Sequence, residues 1–112
     1  MGLDFSHCNA HWAYSGFNRF RTNLAYEIGI DLESMQGFGG SQSWNGRKDP
    51  ITHLLHHSDC EGTITPNMCG KIAPRLRELV KDWPDAHDKQ QALLLAEGME
   101  LANERNERLE FT

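Results

Sequence analysis

The run Asp49-Pro50-Ile51-Thr52-His53-Leu54-Leu55-His56-His57-Ser58-Asp59-Cys60-Glu61-Gly62-Thr63-Ile64-Thr65-Pro66 decides how this chain is read. Both ends carry the same helix-start signal: a capping side chain, Asp49 or Thr65, followed by a proline. The fixed φ and missing N–H of proline suit the first position of a helix. Ile51, Leu54 and Leu55 carry the first helix toward His57, and Gly62 marks a tight loop. Beyond Pro66, the residues Met68, Ile72, Leu76, Leu79, Val80 and Trp83 recur at helical steps until Pro84. The segment 50–82 therefore reads as a helix-loop-helix hairpin. Pro74 sits inside the second stripe and cannot donate to the residue-70 carbonyl, so a kink or break is expected there.

Working outward, Ser15 is a capping residue, and Phe17, Phe20, Leu24 and Ile28 trace one face of a helix over about 15–28. Gly29 is placed to end it in the left-handed conformation. Asp31 to Met35 suits a short helical turn. Another helix is expected from about Asp85 to Arg105, with Ala92, Leu95, Ala96, Met99 and Ala102 on one side. Leu94 and Leu101 widen that face and give the helix a central place. Phe5, Trp12 and Tyr14 mark the first stretch as one that packs over the core. Gly37 to Gly46 holds Phe38 and Trp44 among its glycines, which predicts a structured loop with close backbone approaches rather than a bland linker. Strand patterns are few, although Glu107 to Phe111 alternates and suits one short strand or a packed extension. The fold expected is mainly α, a small helical domain of four or so helices spanning 1–112 as a single domain.

The formal charge of −5 and dispersed basic residues argue against nucleic acid, whose binding draws most of its affinity from phosphate neutralisation. Arg19/Arg21 and Arg75/Arg77 are interleaved with apolar residues, and their stems are expected to cover the core rim. No apolar run approaches the roughly 20 residues of a membrane span. The first residues lack the basic start and apolar stretch of a secretion signal, so no membrane association and a cytoplasmic location are expected. The three cysteines, Cys8, Cys60 and Cys69, are too few for a disulfide framework.

His57 to Met68 resembles a degenerate EF-hand loop. With Gly62 at position six, Asp59 takes three, Glu61 five, Thr63 seven, Ile64 eight and Thr65 nine. Position one, however, is His57 and position twelve is Met68, which leaves calcium poorly provided with oxygen ligands. Zinc suits the side chains better: thiolates from Cys60 and Cys69 with an imidazole from His56 or His57, and His53 one turn before His57. The candidate metal residues are thus His56, His57, Cys60 and Cys69. The competing reading makes the cysteines small buried residues and the histidines partners of a helix C-terminus. His7 and His11, with Cys8 beside them, form a second pair that reads as a rim feature. No nucleophile elbow, His-Glu-x-x-His run or kinase set is present.

Tyr14-Ser15-Gly16-Phe17-Asn18-Arg19-Phe20-Arg21, His57-Ser58-Asp59-Cys60-Glu61-Gly62 and Leu109-Glu110-Phe111 together resemble a group of small uncharacterised proteins of bacteria and their phages. The resemblance covers most of the chain and implies a phage or prophage accessory context, with the host cytoplasm as its setting. It implies no chemistry. The function expected is a non-enzymatic accessory protein that acts by binding a host protein or a ligand, with a host or phage protein as its partner. The alternative is a small zinc-type enzyme or ligand-binding protein, with its pocket between the glycine-rich loop and the histidines.

Overall fold

Tyr14–Glu27 forms helix α1 and buries Phe17, Phe20, Arg21, Leu24 and Ala25. It starts one residue ahead of Ser15, and the capping residue Ala13 makes no side-chain bond. Its end follows the expectation. Gly29 takes φ +76°, its N–H donates to Tyr26 O at 3.0 Å, and Ile30 N–H donates to Ala25 O at 2.9 Å. This paired closure satisfies carbonyls the helix would otherwise orphan, and the buried Ile30 seals it.

The computed structural model describes residues 2–112 and is about 50% helical, with four helices and two small sheets. Leu3–Asp4 (β1) pairs antiparallel with His11–Trp12 (β2), in the register Leu3 to Trp12. A short 3-10 turn at Leu32–Ser34 follows α1, and Thr52–Leu55 is helix α2. Thr63–Ile64 (β3) precedes α3 (Pro66–Val80) and α4 (His87–Arg105), and Leu109–Glu110 (β4) returns to pair antiparallel with β3. The predominantly helical character is as expected; the two sheets exceed it.

The segment 50–82 does not show the EF-hand-like hairpin. Helix α2 is a single turn of 4 residues, too short to serve as an entering helix. Ile64, at loop position eight, pairs instead with Leu109 of the C-terminal strand. Phe111 N–H donates to Gly62 O and Thr112 N–H to Asp4 O, both at 2.9 Å, so the tail ties the loop to the N-terminal hairpin. Thr65 does cap α3, accepting from Met68 N–H at 3.3 Å. Pro74 does not break that helix, which runs from Pro66 through to Val80. Packing against α4, its most extensive partner, holds α3 together where one backbone bond is missing. Gly70 lets the two approach: a Cβ there would lie 2.8 Å from the Asn103 side chain.

α4 buries the expected Ala92, Leu95, Ala96, Met99 and Ala102, with Gly98 against Cys8. It closes as α1 does, with Asn106 at φ 55° in the place of glycine. Around these helices lies an aromatic core. Trp12 stacks on Phe20 at 4.6 Å and meets Phe5 and Phe17 at 6.0 and 5.4 Å between ring centroids.

The glycine-rich loop is folded, as expected. Gly37, Gly39 and Gly46 have positive φ, and Trp44 Nε1 donates to Gln36 O at 2.9 Å. Gly40 is the tight position, since a Cβ there would fall 2.1 Å from the carbonyl carbon and oxygen of Ser34. Backbone on both sides leaves nothing soft to yield. Gly40→Ala is expected to cost about 2–3 kcal/mol, as severe overpacking does. The loop should peel away while the helices persist. Loss of the native Trp44 environment in fluorescence, with far-UV circular dichroism unchanged, checks this; an unaltered Trp44 signal would contradict it.

Candidate functional site

The expected metal residues are not brought together. His53 and His56 are exposed on α2 and just beyond it, because Leu54 and Leu55 take the buried face. His56 stacks on Trp44 at 5.0 Å. The His57 ring lies on Phe111 at 4.0 Å, with Nδ1 2.9 Å from Ser58 O and Nε2 3.1 Å from Thr63 O. Cys60 is exposed, its Sγ 3.5 Å from Ser58 Oγ. Cys69 is buried and donates weakly to Ile64 O at 3.8 Å. One thiol faces solvent and the other faces the core. The turn at Gly62 leads into β3. Among the described residues, no group of three or more His, Cys, Asp and Glu side chains is gathered as a metal would require.

For Cys69 the buried-thiol reading is the one the structure supports. Burial pushes its thiol up to about 11, against a smaller opposing effect of a backbone hydrogen bond at Leu109. The folded chain thus keeps a proton that the unfolded chain releases above about pH 8.5. Stability from this group is complete below that pH and is lost as pH rises toward 11. The loss should reach about 2–3 kcal/mol, since each tenfold difference in proton affinity between the folded and unfolded chain is worth about 1.4 kcal/mol. Urea denaturation between pH 8 and pH 11 measures it, and Cys69→Ala should flatten that part of the profile relative to wild type. An equal slope in both proteins would refute the assignment.

His7 and His11 are both engaged, His11 across the hairpin and His7 with its neighbour Ser6 and the distant Glu107. His11 Nδ1 is 2.9 Å from Asp4 Oδ1. His7, at φ 69°, places Nδ1 2.7 Å from Ser6 Oγ and Nε2 2.9 Å from Glu107 Oε1. Hydroxyl, imidazole and carboxylate in line suggest a nucleophile relay, yet Ser6 Oγ also accepts the Glu110 N–H at 2.8 Å. That bond serves to join the chain ends. Neighbouring Cys8 is no better as a nucleophile: burial pushes its thiol up, a backbone bond at Ala10 partly opposes this, and the Glu97 charge raises it further.

Two features were missed in the sequence. The first is a surface on α1. Tyr26 is 83% exposed, against 36% for Tyr14. A cleft of about 830 Å³ lies on one side of it, lined by Thr22, Ile30, Asp31 and Leu32, and one of about 370 Å³ on the other, lined by Trp83, Pro84 and Asp88. Both also touch Asn23, Tyr26 and Glu27, so they adjoin through the tyrosine. Glu27 accepts the Trp83 indole N–H at 3.0 Å, and Asp88 accepts that of Trp12 at 3.1 Å. Tyr26 falls outside the apolar stripe of α1, and that position was its only signal in the sequence.

The second is Arg21, expected on the rim but only 3% exposed. Its guanidinium donates to Leu55 O at 3.2 Å and His57 O at 2.5 Å, and lies over the rings of Phe17 and Phe38. Nε finds no partner among the described residues. Burial lowers its pKa, and the Asp59 charge pulls it back up. Arg75, by contrast, forms a surface network, gripping Asp49 at 2.8 Å and also contacting Glu78. Burial pushes the Asp49 carboxyl up, but the hydrogen bonds from Arg75 and from Ile51 outweigh it and hold the group below its usual range.

Compared with known protein families, curated proteins and solved structures, the chain matches none. No helix among the described residues is long and apolar enough to cross a membrane.

Proposed function

We propose that this chain is a non-enzymatic interaction protein of phage or prophage type, and that it binds a host or phage protein through the face around Tyr26. The observation that carries the reading is a tyrosine at 83% exposure set between two adjoining clefts. A lone exposed ring is ordinary on a protein surface, but one set between two adjoining clefts offers an interface a rigid anchor with a polar tip. Glu27, Asp31 and Asp88 line these clefts and match the net charge of −5. Lys89 is occupied, donating to Lys81 O at 2.9 Å and Trp83 O at 3.3 Å. The partner surface is therefore basic with an apolar side chain at its centre. Long-range attraction then speeds association, and the aromatic contact holds the complex.

The test is capture from host lysate on untagged, immobilised protein, followed by affinity measurement on the recovered partner. Tyr26→Ala is expected to weaken binding by about 30-fold or more, the usual cost of truncating an anchor residue. Asp31→Lys should slow association, and Tyr14→Ala should leave both unchanged. A stoichiometric partner that binds Tyr26→Ala as well as wild type would exclude this face.

A further inference from the structure

A cleft does form between the glycine-rich loop and the histidines, but its chemistry is not that of a metal site. It has a volume of about 320 Å³ and is lined by Trp44, Arg47, Thr52, His53, His56 and His57, with neither carboxylate nor thiol among them. A metal ion brought here meets the Arg47 cation and lacks an anionic ligand to offset it. A negatively charged oxygen group meets the Arg47 cation and imidazole N–H donors, with no carboxylate in the lining to repel it.

Local structure explains the convergence. The turn Trp44-Asn45-Gly46-Arg47 closes with Arg47 N–H on Trp44 O at 3.3 Å, and Gly46 supplies the required φ of +82°. It sets Arg47 beside α2, where His53 and His56 share the solvent face at a spacing of three residues. Several lining donors are already engaged. The Trp44 indole N–H goes to Gln36 O, the Thr52 hydroxyl to Asp49 O, and the His57 ring nitrogens lie against Ser58 O and Thr63 O. Arg47, His53 and His56 make no side-chain hydrogen bond or ion pair among the described residues, so their N–H groups are free for a ligand. Behind them lies Arg21, 97% buried, bonded to the carbonyls of Leu55 and His57 and ion-paired with no carboxylate among the described residues. Its charge, offset in part by that of Asp59, adds to the potential of the cleft from the protein side, where water screens it least.

We propose that this cleft binds a phosphate-type oxyanion, held by the Arg47 guanidinium and the His53 and His56 imidazoles, with the Trp44–His56 stack as its wall. The volume exceeds that of a phosphate group alone, which leaves room for the substituent of a small phosphomonoester. The site is independent of the Tyr26 face.

The test titrates untagged protein with inorganic phosphate and with phenyl phosphate, at ionic strength held constant with chloride, followed by NMR. Saturable shifts are expected at the Trp44 indole, the Arg47 backbone amide and the His53 and His56 rings. Arg47→Ala/His53→Gln should weaken binding by about tenfold or more, as loss of charge-assisted bonds does. Both side chains are exposed, so the fold should stand, and unchanged far-UV circular dichroism confirms it; His56→Gln repeats the test singly. Lys71→Ala controls for diffuse charge. Equal affinity for the two probes supports free phosphate as the ligand, and tighter phenyl phosphate supports an ester. Absence of saturable shifts in the millimolar range overturns the proposal. So does binding that survives the double substitution, and so does a response of these imidazoles to zinc but not to phosphate.

Discussion

Trp12→Ala is expected to lower the unfolding free energy by about 3–5 kcal/mol, the range for removing a fully buried large aromatic. For a chain of 112 residues that is a large part of the total stability. Trp12 is 0% exposed and touches Phe5, Phe17 and Phe20, which join the N-terminal hairpin to α1. Its indole N–H reaches Asp88 on α4, so one side chain fastens three elements. Trp12→Phe should recover most of the loss, because the bond it forfeits frees a carboxylate that water can reach. Urea denaturation at neutral pH measures both. A cost below about 2 kcal/mol for the alanine variant would show that the surrounding rings collapse into the space, contrary to the usual partial relaxation of a packed core.

Arg21→Ala is expected to cost about 2–4 kcal/mol, for a reason unlike that of Trp12. Two effects compete at Arg21. Desolvating a cation without a carboxylate partner is unfavourable, and deleting it relieves that cost. Deletion also orphans Leu55 O, worth about 1–3 kcal/mol when left buried and unbonded, removes the bond to the part-buried His57 O, and empties the space over Phe17 and Phe38. The carbonyls and the packing together should win. Arg21→Met restores the packing but not the bonds, and should therefore fall between wild type and alanine. A methionine variant more stable than wild type would reverse the ranking and show that desolvation dominates. Hydrogen exchange should place the loss at α2 and the loop after it, since these are the carbonyls Arg21 holds.

Most of the helices were legible because their signals are local. The stripes of α1, α3 and α4 lie within single stretches, and their ends carry chemistry that acts over a few residues. Gly29 ends α1, and Thr65-Pro66 starts α3. Where the reading failed, a distant segment had intervened. α2 is one turn because Arg21 and the glycine-rich loop engage the chain just beyond it, and no pattern within 50–57 records that. Pro74 promised a kink or a break, and the break does not occur because the α4 surface, which no local stretch shows, compensates for the missing bond.

The candidate site divides along the same line. That a pocket would lie between the glycines and the histidines could be read from residue types alone. What such a pocket prefers depends on which side chains turn into it. Backbone geometry sent Cys60 to solvent and Cys69 to the core, and it brought Arg47 to the imidazoles through the turn at Gly46. By itself the sequence determined helical content, the main core stripes and the residues able to carry chemistry, because these follow from short-range periodicity and composition. Tertiary structure alone decided that Leu109 would pair with Ile64, that Arg21 would lie buried and that two clefts would flank Tyr26. Each of these is settled by contacts between segments far apart in the chain, whose energies no local stretch contains.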